Sequence, residues 1–134
     1  MFAWFKRLES LQTITDGRGR LVVMEKLPFA IKRVYFLRDI KDGETRGGHA
    51  HKVVRRLMVA VNGSFKVTLR DKKGFHDLTL DNPSKGLFIE PMTWVELKDF
   101  SKDAVCLVLA SEEHDEADCI RDYTEFAKLR RSTW

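Results

Sequence analysis

The sequence predicts an all-β domain, a jelly roll or related barrel, closed by one short C-terminal helix. Three observations lead there. Between Leu11 and Ser111 the chain is a series of short apolar or alternating runs, explicit turn residues separate them, and the pattern changes after Ser111. Residues 11–15 (LQTIT) make the first run, DGRGR turns the chain, and residues 21–25 (LVVME) return. Residues 31–39 (IKRVYFLRD), 56–63 (RLMVAVNG), 64–71 (SFKVTLRD), 76–80 (HDLTL), 85–91 (KGLFIEP), 93–100 (TWVELKDF) and 104–111 (AVCLVLAS) follow. Each is rich in Val, Ile, Leu, Phe and Thr, which fit a pleated, half-buried surface. Asp16-Gly17, Asp42-Gly43, Asn62-Gly63, Lys73-Gly74 and Asn82-Pro83 are the punctuation, supplying positive φ or a pre-set φ. Asn62-Gly63, between two alternating runs, reads as a hairpin turn. Residues 122–131 (DYTEFAKLRR) read as the helix, with Asp122 as N-cap, Glu125 at the third helical position and basic residues in the last turn. The mouth of a barrel closed from such strands is a natural ligand site.

Composition narrows the function. The 134 residues fit one domain spanning 1–134, and with 43% hydrophobic and 33% charged residues the chain is neither disordered nor fibrous. No uncharged apolar run approaches the roughly 18–20 residues of a membrane helix, and MFAWFKRLES has no long apolar stretch with a cleavage site, so a cytoplasmic protein is expected. Cys106 and Cys119 are too few for a disulfide framework and lack metal-binding spacing. The net charge of +4 comes without a basic helix, zinc knuckle or run of consecutive cations, so neither nucleic acid nor membrane is the expected partner. Lys32, Arg33, Arg46, Lys52, Arg55 and Arg56 lie in the first half, and Glu112, Glu113, Asp115, Glu116 and Asp118 near the end. That distribution suits a local cationic site for a small anionic ligand.

Chemistry concentrates in Arg46-Gly47-Gly48-His49-Ala50-His51-Lys52. On a strand, residues two apart share a face, so His49 and His51 point the same way and, in a barrel, can converge inward. Such a pair suggests a metal first, and the spacing resembles the first cupin motif, with Gly43, His49, His51 and Gly63 in place. Arg56, however, occupies the glutamate position of that motif, and a guanidinium cannot ligate a cation. The histidine expected shortly after Pro91 is also missing, replaced by Met92, Thr93, Trp94, Val95 and Glu96. Glu96 is the one residue left that could complete a ligand set, while His76 and His114 read as surface or loop residues. Without metal, two facing imidazoles suit proton transfer between adjacent carbons, because both protonation states are within reach near neutral pH. Tyr35 is an inward candidate to orient or protonate an oxygen. Arg33 shares its strand face, and Arg33 and Arg46 suit bidentate contact with phosphate.

With these residues the sequence resembles the cupin-type sugar-nucleotide 3,4-ketoisomerases that act on dTDP-4-keto-6-deoxyglucose. The similarity runs through DGRGRLVVME, PFAIKRVYFLRD, RGGHAHK, VNGSFKVTL, GLFIEPMTW and LVLASEEHDEADCIRDYTEF. It implies a metal-independent jelly roll without cofactor, a homodimer exchanging N-terminal strands, and a pocket for the dTDP-linked 4-keto-6-deoxyhexose. The expected reaction yields the 3-keto isomer through an enediol, for later conversion to 3-amino deoxysugars of surface polysaccharides or antibiotics. By position, His51 would remove the C3 proton, His49 would shuttle a proton toward C4, and Tyr35, Arg33 and Arg46 would position sugar and pyrophosphate. Arg56 and Trp94 are further expected substrate contacts. The chain departs from the family's usual pattern at Arg55, Arg56, Val95 and Lys98; Gln is usual where Arg56 stands, and His is frequent at Val95. A 3,5-epimerase, a metal-dependent cupin and a non-catalytic sugar-nucleotide binder are the alternatives.

Overall fold

The computed structural model describes residues 7–133. The strands are β1 (Leu8–Ser10), β2 (Gln12–Asp16), β3 (Gly19–Val23), β4 (Arg33–Arg38), β5 (Arg46–His51), β6 (Arg56–Asn62), β7 (Phe65–Asp71), β8 (Gly74–Leu80), β9 (Lys85–Ile89), β10 (Trp94–Lys98), β11 (Val105–Ala110) and β12 (Cys119–Ile120). Helix α1 (Tyr123–Thr133) follows. Two five-stranded antiparallel sheets, ordered β1-β9-β6-β11-β4 and β12-β5-β10-β7-β8, face one another as the jelly roll expected, and β2-β3 form a separate ribbon.

Alternation decides what enters the core. From β6, Met58 and Ala60 point between the sheets while Leu57 and Val59 point outward beneath Leu11, Met24, Leu27 and Phe29. Phe65, Val67 and Leu69 of β7 meet Leu87 and Ile89 of β9 and Cys106 and Val108 of β11 in the main core. A fully buried Leu, Ile or Phe there contributes about 1.5–3 kcal/mol. Helix α1 covers the outer face of the second sheet through Phe126, packed on Ala50, Trp94 and Ile120. Asp122 caps it as expected, its side chain accepting the Thr124 N–H at 3.1 Å.

One turn differs from the expectation. Asn62-Gly63 does not close a hairpin, because β6 pairs with β11 and β9, whereas β7 pairs with β10 and β8. The turn carries the chain from one sheet to the other and is anchored to the segment before β11. Asn62 Nδ2 donates to the Asp103 carbonyl at 2.9 Å, and the Ser64 N–H donates to Ser101 Oγ at 2.9 Å. Gly63 has φ 64°, and a Cβ there would lie 2.8 Å from Ala104 Cα. The two-residue hairpins are β2–β3 and β7–β8, with Asp16 opposite Gly19 and Asp71 opposite Gly74.

Candidate active site

The site lies at one end of the sandwich, where β4, β5, β6 and β12 meet. At the start of β5, Gly47 and Gly48 adopt φ 83° and 71°. The ladder to β10 slips there, with His49 opposite Val95 but Gly47 opposite Glu96, so Gly48 is the extra residue of a bulge. A side chain at Gly47 would put its Cβ 2.7 Å from the Val95 carbonyl oxygen, so the close approach needs glycine. Beyond the bulge the strand is regular and both histidines face inward, their rings edge-to-face with centroids 5.1 Å apart.

His51 is buried, and its Nδ1 lies 3.0 Å from Asp118 Oδ2. A carboxylate only accepts, so Nδ1–H donates and Nε2 remains as the basic nitrogen. Asp118 is itself held by backbone. It ends a single 3-10 turn, Glu116–Asp118, capped by Asp115, and its Oδ1 accepts the Val53 N–H at 2.8 Å. Its carbonyl accepts the Lys52 N–H at 3.0 Å. Burial, then the Arg56 guanidinium, push the His51 imidazole down to about 4 against the opposing pull of Asp118. His49 is shifted in the same direction for the same two leading reasons. Its Nδ1 is buried without a partner in hydrogen-bonding geometry, although the Gly47 carbonyl lies near enough to favour the protonated ring.

A cavity of about 450 Å³ opens over these rings, lined by Arg33 and Tyr35 from β4 and by Arg46, His49 and His51 from β5. That volume suits a small ligand. Arg33 stacks on the Tyr35 ring, 4.4 Å from its centroid, and Arg56 lies beneath, 3% exposed. The structure thus brings together six of the seven residues singled out in the sequence. The seventh, Trp94, is on the opposite face of β10, 6% exposed, packed on Tyr123 and Phe126, with its indole N–H donated to Glu96 Oε2 at 2.8 Å. It does not line the cavity, contrary to the expectation of a substrate contact, because Val95 is the residue whose side chain points inward. Glu96 shares the outer face with Trp94 and does not complete a ligand set with His49 and His51. No group of three or more His, Cys, Asp and Glu among the described residues is arranged to hold a metal ion.

Four residues of the site were not singled out. Asp118 and Cys119 come from the ending EEHDEADCIRDY, where the acidic residues read as an uneven charge distribution. Cys119 Sγ lies 3.8 Å from His51 Nδ1, and burial raises its thiol. Arg121 and His114, the latter expected only on the surface, also line the cavity. His76 is likewise more than a surface residue, its side chain 10% exposed and paired with Asp71.

The family described as "FdtA: WxcM-like, C-terminal" matches residues 6–131. The chain belongs to this family. It is 46% identical over 122 residues, 89% of this chain and 88% of the other, to a TDP-4-oxo-6-deoxy-alpha-D-glucose-3,4-oxoisomerase from Aneurinibacillus thermoaerophilus. The crystal structure of QdtA, a sugar 3,4-ketoisomerase from Thermoanaerobacterium thermosaccharolyticum in complex with TDP, superposes with a TM-score of 0.91 at 37% identity, covering 95% of each chain. The WlaRB TDP-quinovose 3,4-ketoisomerase from Campylobacter jejuni gives 0.86 at 40% identity, over 90% of this chain and 95% of that one.

Proposed function

We propose that the protein converts dTDP-4-keto-6-deoxyglucose to a dTDP-3-keto-6-deoxyhexose through an enediol, with His51 as the base at C3 and His49 carrying a proton toward C4. That it is a sugar-nucleotide 3,4-ketoisomerase rests on its family and its 46% identical relative. For the residue roles, the observation that carries most is the inward His49–His51 pair, with His51 Nδ1 committed to Asp118. A neutral imidazole with its second nitrogen anchored is a base of defined orientation, and a second imidazole 5.1 Å away is within reach of the adjacent carbon's proton traffic. Tyr35, with Arg33 on its ring, would orient the sugar oxygens. Arg46, exposed at the cavity rim, would take the pyrophosphate.

The reading extends to a homodimer in which N-terminal strands are exchanged. The β2–β3 ribbon pairs with no third strand among the described residues, and it exposes Ile14 and Leu21, directly opposite on one face. An isolated two-stranded ribbon is marginal in water. β4 is the edge of its sheet and carries exposed Val34 and Phe36. A second copy's ribbon laid on that edge satisfies both surfaces. The cytoplasmic setting we propose rests on the sugar-nucleotide chemistry of the family; no helix of the described residues is long and apolar enough to cross a membrane.

The test is proton NMR of dTDP-4-keto-6-deoxyglucose with chelator-treated protein. Migration of the carbonyl to C3 is expected, and the C4 configuration of the product assigns the gluco or galacto series. Exchange at C3 and C5 without carbonyl migration would instead show a 3,5-epimerase, and dTDP binding without turnover would show a binding module.

A further inference from the structure

One residue of the site has no part in the steps above. Arg56 begins β6 and points between the sheets, its backbone opposite Ala110 of β11 and Ile89 of β9. It is 3% exposed, yet no carboxylate among the described residues forms an ion pair with it. Its neighbour Arg55 shows the contrast, half-exposed and gripping both oxygens of Glu90 at 3.0 and 3.1 Å. The Arg56 guanidinium meets the Tyr35 hydroxyl, and its Nε is buried without a partner. Burying a guanidinium that no carboxylate pairs directly is costly, Asp118 acting on it only as a more distant charge, and in a low-dielectric interior its field reaches neighbouring groups strongly.

We propose that Arg56 is a positioning residue: a buried, fixed cation held against Tyr35 in the cleft it shares with His51 and Arg33, which adds to the effect of burial in disfavouring a positive charge on the His49–His51 pair. The inference rests on the ketoisomerase reading, because it concerns the same two histidines. A base must be unprotonated to accept the C3 proton, and a buried cation lining the same cleft as His51 disfavours a second positive charge on the pair. Charges face the pair from every side. His49 and His51 face each other on β5, Arg33 and Tyr35 stand on β4, and Arg56 on β6. Asp118 and Cys119 come from β12 and the turn before it, with Glu116 and Arg121 beyond. The segment just after β11 adds Glu112, Glu113, His114 and Asp115. Among the cations here Arg56 is buried, whereas Arg46 and Arg121 are exposed and solvent-screened. Burial is the larger cause that pushes both rings down, and Arg56 is the leading charge acting in the same direction.

The test is an NMR titration of the histidine rings in the free protein, beside the pH profile of kcat/KM, for wild type, Arg56→Gln and Arg56→Lys. In the wild type, the His51 midpoint is expected at about 4 and that of His49 below the ordinary histidine value of about 6.5. In Arg56→Gln both midpoints rise and the acid limb of kcat/KM moves up with them, whatever the height of the plateau. Arg56→Lys, which keeps the charge, returns the midpoints toward wild type. Unmoved midpoints in Arg56→Gln overturn the proposal, as does a wild-type His51 midpoint near 6.5, which decides the matter even where Arg56→Gln does not fold. The ring midpoints are read without substrate. Failure of the ketoisomerase reading would appear as absent turnover with the midpoint shifts intact.

Discussion

Among the described residues two histidine–carboxylate pairs have imidazoles only 10% exposed, one at the barrel mouth and one on the β7–β8 hairpin, and their difference shows what sets the first apart. His51 Nδ1 meets Asp118 Oδ2 at 3.0 Å, and His76 Nε2 meets Asp71 Oδ1 at 3.3 Å. Residue types and distances are nearly the same. Around Asp71, however, the contacts are structural. Arg7 Nη1 lies 2.9 Å from its Oδ2, and the Lys73 N–H donates to its Oδ1 at 2.7 Å, so the carboxylate ties the hairpin turn to the chain before β1. Around His51 the contacts leave one ring nitrogen basic, set a second imidazole alongside and open onto a cavity of about 450 Å³. One pair is thus a brace, and the second imidazole, the cavity and the surrounding charge are what set the other apart and carry our proposal that it is a base.

The contrast predicts separable losses. His51→Asn should lower kcat by about 10³-fold or more, the scale of a lost general base, while dTDP affinity measured by calorimetry stays within a few-fold. The matching change, His76→Asn, should leave kcat near wild type and show itself in thermal stability. Asp71→Ala strands Arg7 in a buried place, and denaturant unfolding should show a loss of about 3–5 kcal/mol with the kcat of the folded protein retained. Asp118→Asn frees the His51 tautomer, and steady-state kinetics should show kcat lower by about 10²-fold with KM little changed. Smallest, Arg46→Ala should weaken dTDP binding by about 1.5–3 kcal/mol without moving the pH profile. The pH dependence of stability has a definite sign. The folded His51 midpoint, about 4, lies below the unfolded value near 6.5, so the unfolded chain takes up the proton first. This contribution is complete above pH 6.5 and is lost as pH falls from there toward 4.

Much of this was legible before the fold was known, for identifiable reasons. Strands announce themselves by alternation, and His49 and His51, two apart in such a run, had to share a face. Turn chemistry is local, and here it misled. Asn62-Gly63 specifies a tight reversal but not which sheet receives the next strand; contacts with Ser101 and Asp103, about 40 residues on, decide that. Trp94 and Glu96 were placed with the site because nothing in TWVELKDF says which phase of the alternation faces inward. Asp118 reaches His51 across 67 residues from a single 3-10 turn before a two-residue strand, too short to leave a periodic trace. His76 read as a surface residue because its partner Asp71 is brought to it only by the hairpin, and Asp71 is held in turn by Arg7 from the chain before β1.

The central claim is that His51, and not merely a buried histidine–carboxylate pair, takes the C3 proton. The most direct measurement is deuterium uptake at C3 of dTDP-4-keto-6-deoxyglucose in D2O, followed by NMR for wild type, His51→Asn and His76→Asn. The account predicts rapid uptake with wild type and His76→Asn and none above background with His51→Asn. Uptake by folded His51→Asn at near the wild-type rate would contradict it and place the base elsewhere.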